Sequence, residues 1–264
     1  MIVIDWKGKV GYGDIISPIC YAHNVSYKLK THVRLVFHWA TDPWETQYER
    51  DPEMLWQRAD IINTLCRKKN TSVELSHQFE SVLSFNHSNY DWDVVGKDRY
   101  HNYWLPEVIE RGTTDIIVVN STEGNQVSLA EYGKPWKDPA AKLWPVIKRA
   151  LGKKYSVVTV DYRTPLSDMV KLLQRARGFV GYHGTAAWVA RFLHTPSVLF
   201  ADGGSLTRNA FFYADIHKNV DAYKDVIDNI DRHFDRSRTL IEQAQQNYVL
   251  YKPSQEFISH LCEE

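Results

Sequence analysis

Short apolar runs alternate along the chain with longer stretches whose apolar residues recur at helical spacing. "MIVID" at the start and "HVRLVFHW" over 32–39 read as strands. Between them a glycine-rich turn, "GKVGYGD", leads into "IISPICYAHNVSYKLK". That stretch predicts a helix, with Pro18 tolerated in its first turn. "DPEMLWQRADIINTLCRKK" predicts another, with Asp51 as N-cap, Pro52 at the first helical position and basic residues at its end. Residues 77–112 are polar and aromatic with weak periodicity, and predict loops around short elements. A second series follows. "TDIIVVN", "YSVVTVDY", "GFVGY" and "PSVLF" predict strands. "DPAAKLWPVIKRAL", starting near Asp138-Pro139, "PLSDMVKLLQRAR" and "TAAWVARFLH" predict the helices between them. From about Asp221 the tail reads as mostly helical.

Strand and helix in alternation argue for an α/β layer structure. The series breaks near residue 112, which predicts two Rossmann-like halves facing a cleft. The expected division is an N-terminal half over 1–112, a nucleotide-binding half over 113–235 and a helical tail over 236–264. In such folds ligands lie beyond the carboxyl ends of the strands.

Composition narrows the function without naming it. A chain of 264 residues, 44% hydrophobic and 24% charged, can bury a sizeable core. Lys and Arg match Asp and Glu at 32 each, so no strongly basic nucleic-acid binder is announced. Nine Trp and 15 Tyr are many for this length, and serve either core packing or a stacking surface for sugars or bases. The three cysteines, Cys20, Cys66 and Cys262, are far apart and form no C-x-x-C, which indicates neither a zinc knuckle nor a disulfide framework. No metal ligand set is expected. The first residues are too short an apolar run for a signal peptide, and no stretch is long enough to span a bilayer. The expectation is a soluble cytoplasmic protein with no membrane partner.

Two turns could carry chemistry. In Gly11-Tyr12-Gly13-Asp14 the glycines let backbone approach a ligand, and Asp14 stands where a helix begins. Asp14 is either an N-cap or a general base. In "GYHGTAA", Gly184 and Thr185 open a helix directly after a strand. Small side chains there leave N–H groups free, and the helix dipole adds about half a positive charge, which suits a diphosphate. His183 is open between a loop histidine, a diphosphate contact and an acid.

Together these turns resemble GT-B-type glycosyltransferases, in particular the ADP-heptose-type heptosyltransferases of glycosyltransferase family nine. The family's "G-D-x-x-x-x-x-P" loop is similar to Gly13-Asp14-Ile15-Ile16-Ser17-Pro18, with a shorter gap to the proline. Its "K-x-W" element matches Lys134-Pro135-Trp136, after the strand ending in Asn120-Ser121-Thr122. Its "D-[ST]-G-x-x-H" segment corresponds in placement to the stretch from His183 to Pro196, with His183 where the family has aspartate and Trp188 where it has histidine. The resemblance implies Asp14 as the base that deprotonates the acceptor hydroxyl. It implies Gly13, Lys134, His183, Gly184 and Thr185 as donor diphosphate contacts, and Asn120, Ser121 and Thr122 as donor nucleotide contacts. It implies a nucleotide-sugar co-substrate, no required cofactor or metal, and inversion by a single displacement.

The acceptor is less legible. Basic residues interleave with aromatics in "YKLKTHVRLVFHW", and "RKK" lies at 67–69. Small glycosyltransferases of this type modify hydroxymethylated bases in bacteriophage DNA, which makes 5-hydroxymethylcytosine in double-stranded DNA a candidate acceptor, acting in the host cytoplasm if the chain is phage-encoded. Two other classes compete. A non-catalytic nucleotide- or sugar-binding protein of the same fold is favoured by His183 and Trp188. A nicotinamide-dependent oxidoreductase is disfavoured because Ile16 takes the place of the last glycine in G-x-G-x-x-G.

Overall fold

The computed structural model describes residues 1–8, 22, 26, 29–39, 71–76, 114–120, 142–161, 164–182, 184–201 and 213–250. The chain divides into two compact units. One comprises Met1–Pro106 and Asn247–Glu264, and the other Glu107–Gln246.

In the first unit, β1 (Ile2–Gly8), β2 (Val33–Trp39) and β3 (Thr71–Ser76) form a parallel sheet in sequence order. Ile2 lies opposite Val33, and Val33 opposite Thr71. Residues 22, 26 and 29 are helical, within the helix expected between β1 and β2. The turn into β2 puts Lys30 at a φ of 52°. The Ser26 hydroxyl fastens this turn by donating to the Thr31 carbonyl at 2.8 Å. Val33, Leu35 and Val36 are buried in the middle strand. β3 was not expected from the sequence, although Ser72, Glu74 and Ser76 alternate with Val73 and Leu75 at the period of a half-buried strand. The helix expected over "DPEMLWQRADIINTLCRKK" and the loops expected over 77–112 lie outside the described residues.

In the second unit, five parallel strands run in the order β5-β4-β6-β7-β8. They are β4 (Ile116–Asn120), β5 (Ser156–Val160), β6 (Gly178–Gly181), β7 (Ser197–Phe200) and β8 (Asp215–His217). The helices are α1 (Trp144–Leu151), α2 (Leu166–Arg175), α3 (Thr185–Phe192), α4 (Tyr223–Asp228) and α5 (Ile230–Leu250). α1 begins at Trp144 after a turn at Lys142 and Leu143, and the start expected near Asp138-Pro139 lies outside the described residues. Pro145 sits in its first turn, where a missing N–H costs no helical bond. The boundary expected between 235 and 236 falls inside α5, whose Phe234, Ser237, Ile241 and Ala244 are buried. The short strand β8 was also missed.

One face of this sheet carries Ile117, Val119, Val180, Val198 and Phe200. Trp144, Ile147 and Leu151 of α1 pack there with Val226, Ile230 and Phe234. Trp144 meets Phe200 edge to face, with ring centroids 6.0 Å apart. Gly178 is needed on this face. A Cβ there would lie 2.3 Å from the Phe234 ring, so α5 could not seat against β6. By the alternation of strands, Val118, Phe179 and Leu199 point to the other face, against which α2 and α3 pack. Parallel strands covered on both sides, with connecting helices between them, are a doubly wound α/β arrangement. No helix among the described residues is long and apolar enough to cross a membrane.

Candidate functional site

The strand order fixes where a ligand could lie in the second unit. From β4 the chain passes to β5 on one side, and β6, β7 and β8 then follow on the other. β4 and β6 are neighbours whose connections leave in opposite directions, so a crevice forms at their carboxyl ends. β4 ends in Asn120, buried at 6% exposure. β6 ends in Gly181, followed by Tyr182 and, after His183, by the start of α3.

These ends touch closely. A Cβ on Gly181 would lie 3.1 Å from the Asn120 Cβ and 2.5 Å from the Phe179 ring. One on Gly184 would lie 3.2 Å from the Tyr182 ring and 3.7 Å from Asn120 Nδ2. Gly181 therefore brings backbone against Asn120 and the Phe179 ring where a side chain would intrude, and Gly184 does so against the Tyr182 ring, with Asn120 Nδ2 in ordinary contact. Gly184 is the N-cap of α3 in an extended conformation and offers no capping side chain. The first turn of α3 contains no acidic residue. Its positive dipole end is neutralised neither by a side-chain cap nor by a carboxylate of its own turn.

The helix behind this end is held firmly. The Tyr213 hydroxyl donates to the Ala187 carbonyl at 2.6 Å, and burial pushes that hydroxyl's pKa well up. The Ser237 hydroxyl on α5 donates to the Tyr213 carbonyl at 2.7 Å and accepts from the Ser197 N–H at 2.8 Å. At the far end of α3, His194 takes a φ of 57°. Its N–H bonds to the Arg191 carbonyl and the Thr195 N–H to the Ala190 carbonyl, the paired bonds of a Schellman ending.

Of the residues expected at the donor site, Asn120, Gly184 and Thr185 are brought together. Gly13, Asp14, Ser121, Thr122, Lys134 and His183 lie outside the described residues.

A second group was missed altogether. Asp215 and His217, two apart on β8, face His233 of α5. His233 Nδ1 lies 2.6 Å from Asp215 Oδ2, and His217 Nε2 lies 3.4 Å from the same oxygen. Arg236 reaches the other carboxylate oxygen at 3.6 Å. Burial raises the Asp215 pKa, but His217, His233 and Arg236 outweigh that and bring it down to about 2. The ligand atoms of the three residues fall within 4.8 Å of one another, a set that could hold a metal ion. The sequence carried half the signal, because Asp-x-His in a strand puts both side chains on one face. His233 had no local signal.

No protein-family model matches the sequence. No curated protein matches it. Among solved structures the chain is similar to the bacterial iron-containing dodecameric glycosyltransferase TibC from enterotoxigenic E. coli H10407. That match has 16% identity and a TM-score of 0.49, over 94% of this chain and 76% of that one. The dodecameric iron-containing heptosyltransferase TibC in complex with ADP-D-beta-D-heptose matches at 14% identity and a TM-score of 0.43, over 100% and 79%. The spinosyn forosaminyltransferase SpnP matches at 12% and 0.36, over 92% and 73%. At these scores the α/β assignment rests on the chain's own strands and helices.

Proposed function

We propose that this protein is a glycosyltransferase that moves a sugar from a nucleotide-diphosphate donor to an acceptor hydroxyl. The observation that carries this reading is the meeting of Asn120 with Gly184 and Thr185 at the switch point between β4 and β6, beside an uncapped, acid-free helix end. In this reading the helix end and the glycine backbone receive the diphosphate, with Lys134, His183 and Gly13 adding contacts. Asn120, Ser121 and Thr122 hold the nucleotide. Asp14 takes the acceptor proton. The freed oxygen attacks the anomeric carbon as the bond to the diphosphate breaks and its electron pair leaves with the phosphate. A single displacement of this kind inverts the anomeric centre. Donors fixed before the reaction stabilise the charge developing on the leaving group. The finer reading of the acceptor is the hydroxyl of 5-hydroxymethylcytosine in duplex DNA, a base that would have to leave the stack.

The test is a thermal-shift series with UDP, GDP, ADP, CMP, TDP and NAD, with and without duplex DNA containing 5-hydroxymethylcytosine. One nucleoside diphosphate should raise the melting temperature by several degrees near saturation. Gly184→Val should remove that shift. Asp14→Asn should keep the shift and lose sugar transfer. No shift with any nucleotide overturns the donor site. A shift without transfer to any acceptor leaves a non-catalytic nucleotide-binding protein. Full transfer by Asp14→Asn removes the base assignment, and transfer that ignores DNA removes the acceptor reading.

A further inference from the structure

We propose that Asp215, His217 and His233 bind one divalent transition-metal ion of the Zn²⁺ class, fastening β8 to α5. Two imidazoles and a carboxylate suit such an ion, whereas Mg²⁺ and Ca²⁺ call for oxygen sets. Two elements supply the ligands. Asp215 and His217 share one face of β8, and His233 comes from α5 on that face. The rings of His217 and His233 stand 5.0 Å apart at 76°, and their nitrogens converge on Asp215 Oδ2 from two directions.

Two further observations point to an ion rather than to a simple Asp–His pair. First, His217 Nε2 is buried and makes no well-aligned hydrogen bond, its nearest acceptor being Asp215 Oδ2 at 3.4 Å. A buried ring nitrogen without a well-aligned hydrogen bond is rare, and an ion is one of the ordinary reasons for it. His217 Nε2 is the atom turned towards Asp215 Oδ2. Second, an outer set of charges is already in place. Asp225 Oδ2 lies 3.3 Å from His233 Nε2, on the far side of the ring from Asp215. Arg236 engages Asp215 Oδ1 and leaves Oδ2 to face the histidines. Carboxylate, histidine and metal in line is the usual way a ligating imidazole is oriented. Metal on His233 Nδ1 would take the place of its contact with Asp215 Oδ2 and leave Nε2–H to donate to Asp225. The site needs no part of the donor reading.

The test uses the full chain, stripped with a chelator and titrated with Zn²⁺ against a chromophoric competitor. Co²⁺ in parallel reports ligand-field absorption. Wild type should bind one tight equivalent, show visible Co²⁺ bands and melt higher with Zn²⁺. The chain holds 11 histidines, so binding alone is not sufficient. His217→Ala should lose the tight equivalent, the bands and the melting shift together. Asp225→Asn, which keeps all three ligands, should weaken binding by about 10- to 100-fold. His217→Gln stands in if His217→Ala does not fold. Absence of a tight equivalent in wild type, or its survival in the His217 variant, overturns the proposal and leaves a metal-free Asp–His contact.

Discussion

Every residue of β6 and of β7 is buried, whereas Ser72 and Glu74 of β3 stand exposed. Both sheets are parallel, and both have a buried middle, since Val33 and Leu35 of β2 are as enclosed as Val118 of β4. What differs is the border. β3 meets β2 partly through charge, where Arg34 donates to Glu74 from Nε at 2.9 Å and also from Nη2, with both side chains about half exposed. In the second unit polar ties of similar exposure fasten α5 beside the starts of β5 and β6. Asp231 of α5 accepts from the Tyr155 hydroxyl at 2.7 Å and from Arg177 Nε at 2.8 Å. Apolar burial thus holds the sheet centres, and half-exposed polar pairs add to it at their ends.

Three substitutions test this ranking. Trp144→Ala removes the largest fully buried side chain on the α1 face and should cost about 3–5 kcal/mol, read from urea unfolding. A cost below about 1 kcal/mol would mean that this face is not the core. Asp231→Asn should cost about 1 kcal/mol or less, because the carboxylate is half exposed. Burial raises its pKa, but Tyr155 and Arg177 outweigh that and hold it below the ordinary value. Its contribution is therefore complete above about pH 4, the unfolded value, and fades as pH falls through the lowered native one. The gap between wild type and variant should close in acid, and a gap independent of pH would rule out the charge as its cause. Glu74→Gln should change stability by a few tenths of a kcal/mol at most, and less in high salt. A loss as large as that of Asp231→Asn would make the first sheet's border as firmly tied as the second's.

The same contrast explains what could be read from the sequence. Strands such as "TDIIVVN" and "PSVLF" are runs of apolar, β-branched or aromatic residues, and they were found to within a few positions. β3 and β8 are border strands that form no apolar run: β3 alternates polar and apolar residues, and β8 is only three residues long. Asn120 and the Gly184–Thr185 turn were legible because strand, glycine and helix follow one another locally. Asp215, His217 and His233 were not, because their association comes from α5 folding back over β8 and from nothing near them in the chain.

Strand order also sets which pairings are local in the chain and which are long-range. In the first unit each strand pairs with the next one made. In the second, β4 pairs with β5 on one side, and its other side must wait for β6, with Ile117 finally opposite Gly178. Closing that pairing spans a long loop before any contact rewards it, which slows folding. Until then β4, the most apolar strand of the unit, has one open edge. A slow refolding phase, and the greatest tendency to aggregate, should belong to the interval between completion of β5 and arrival of β6.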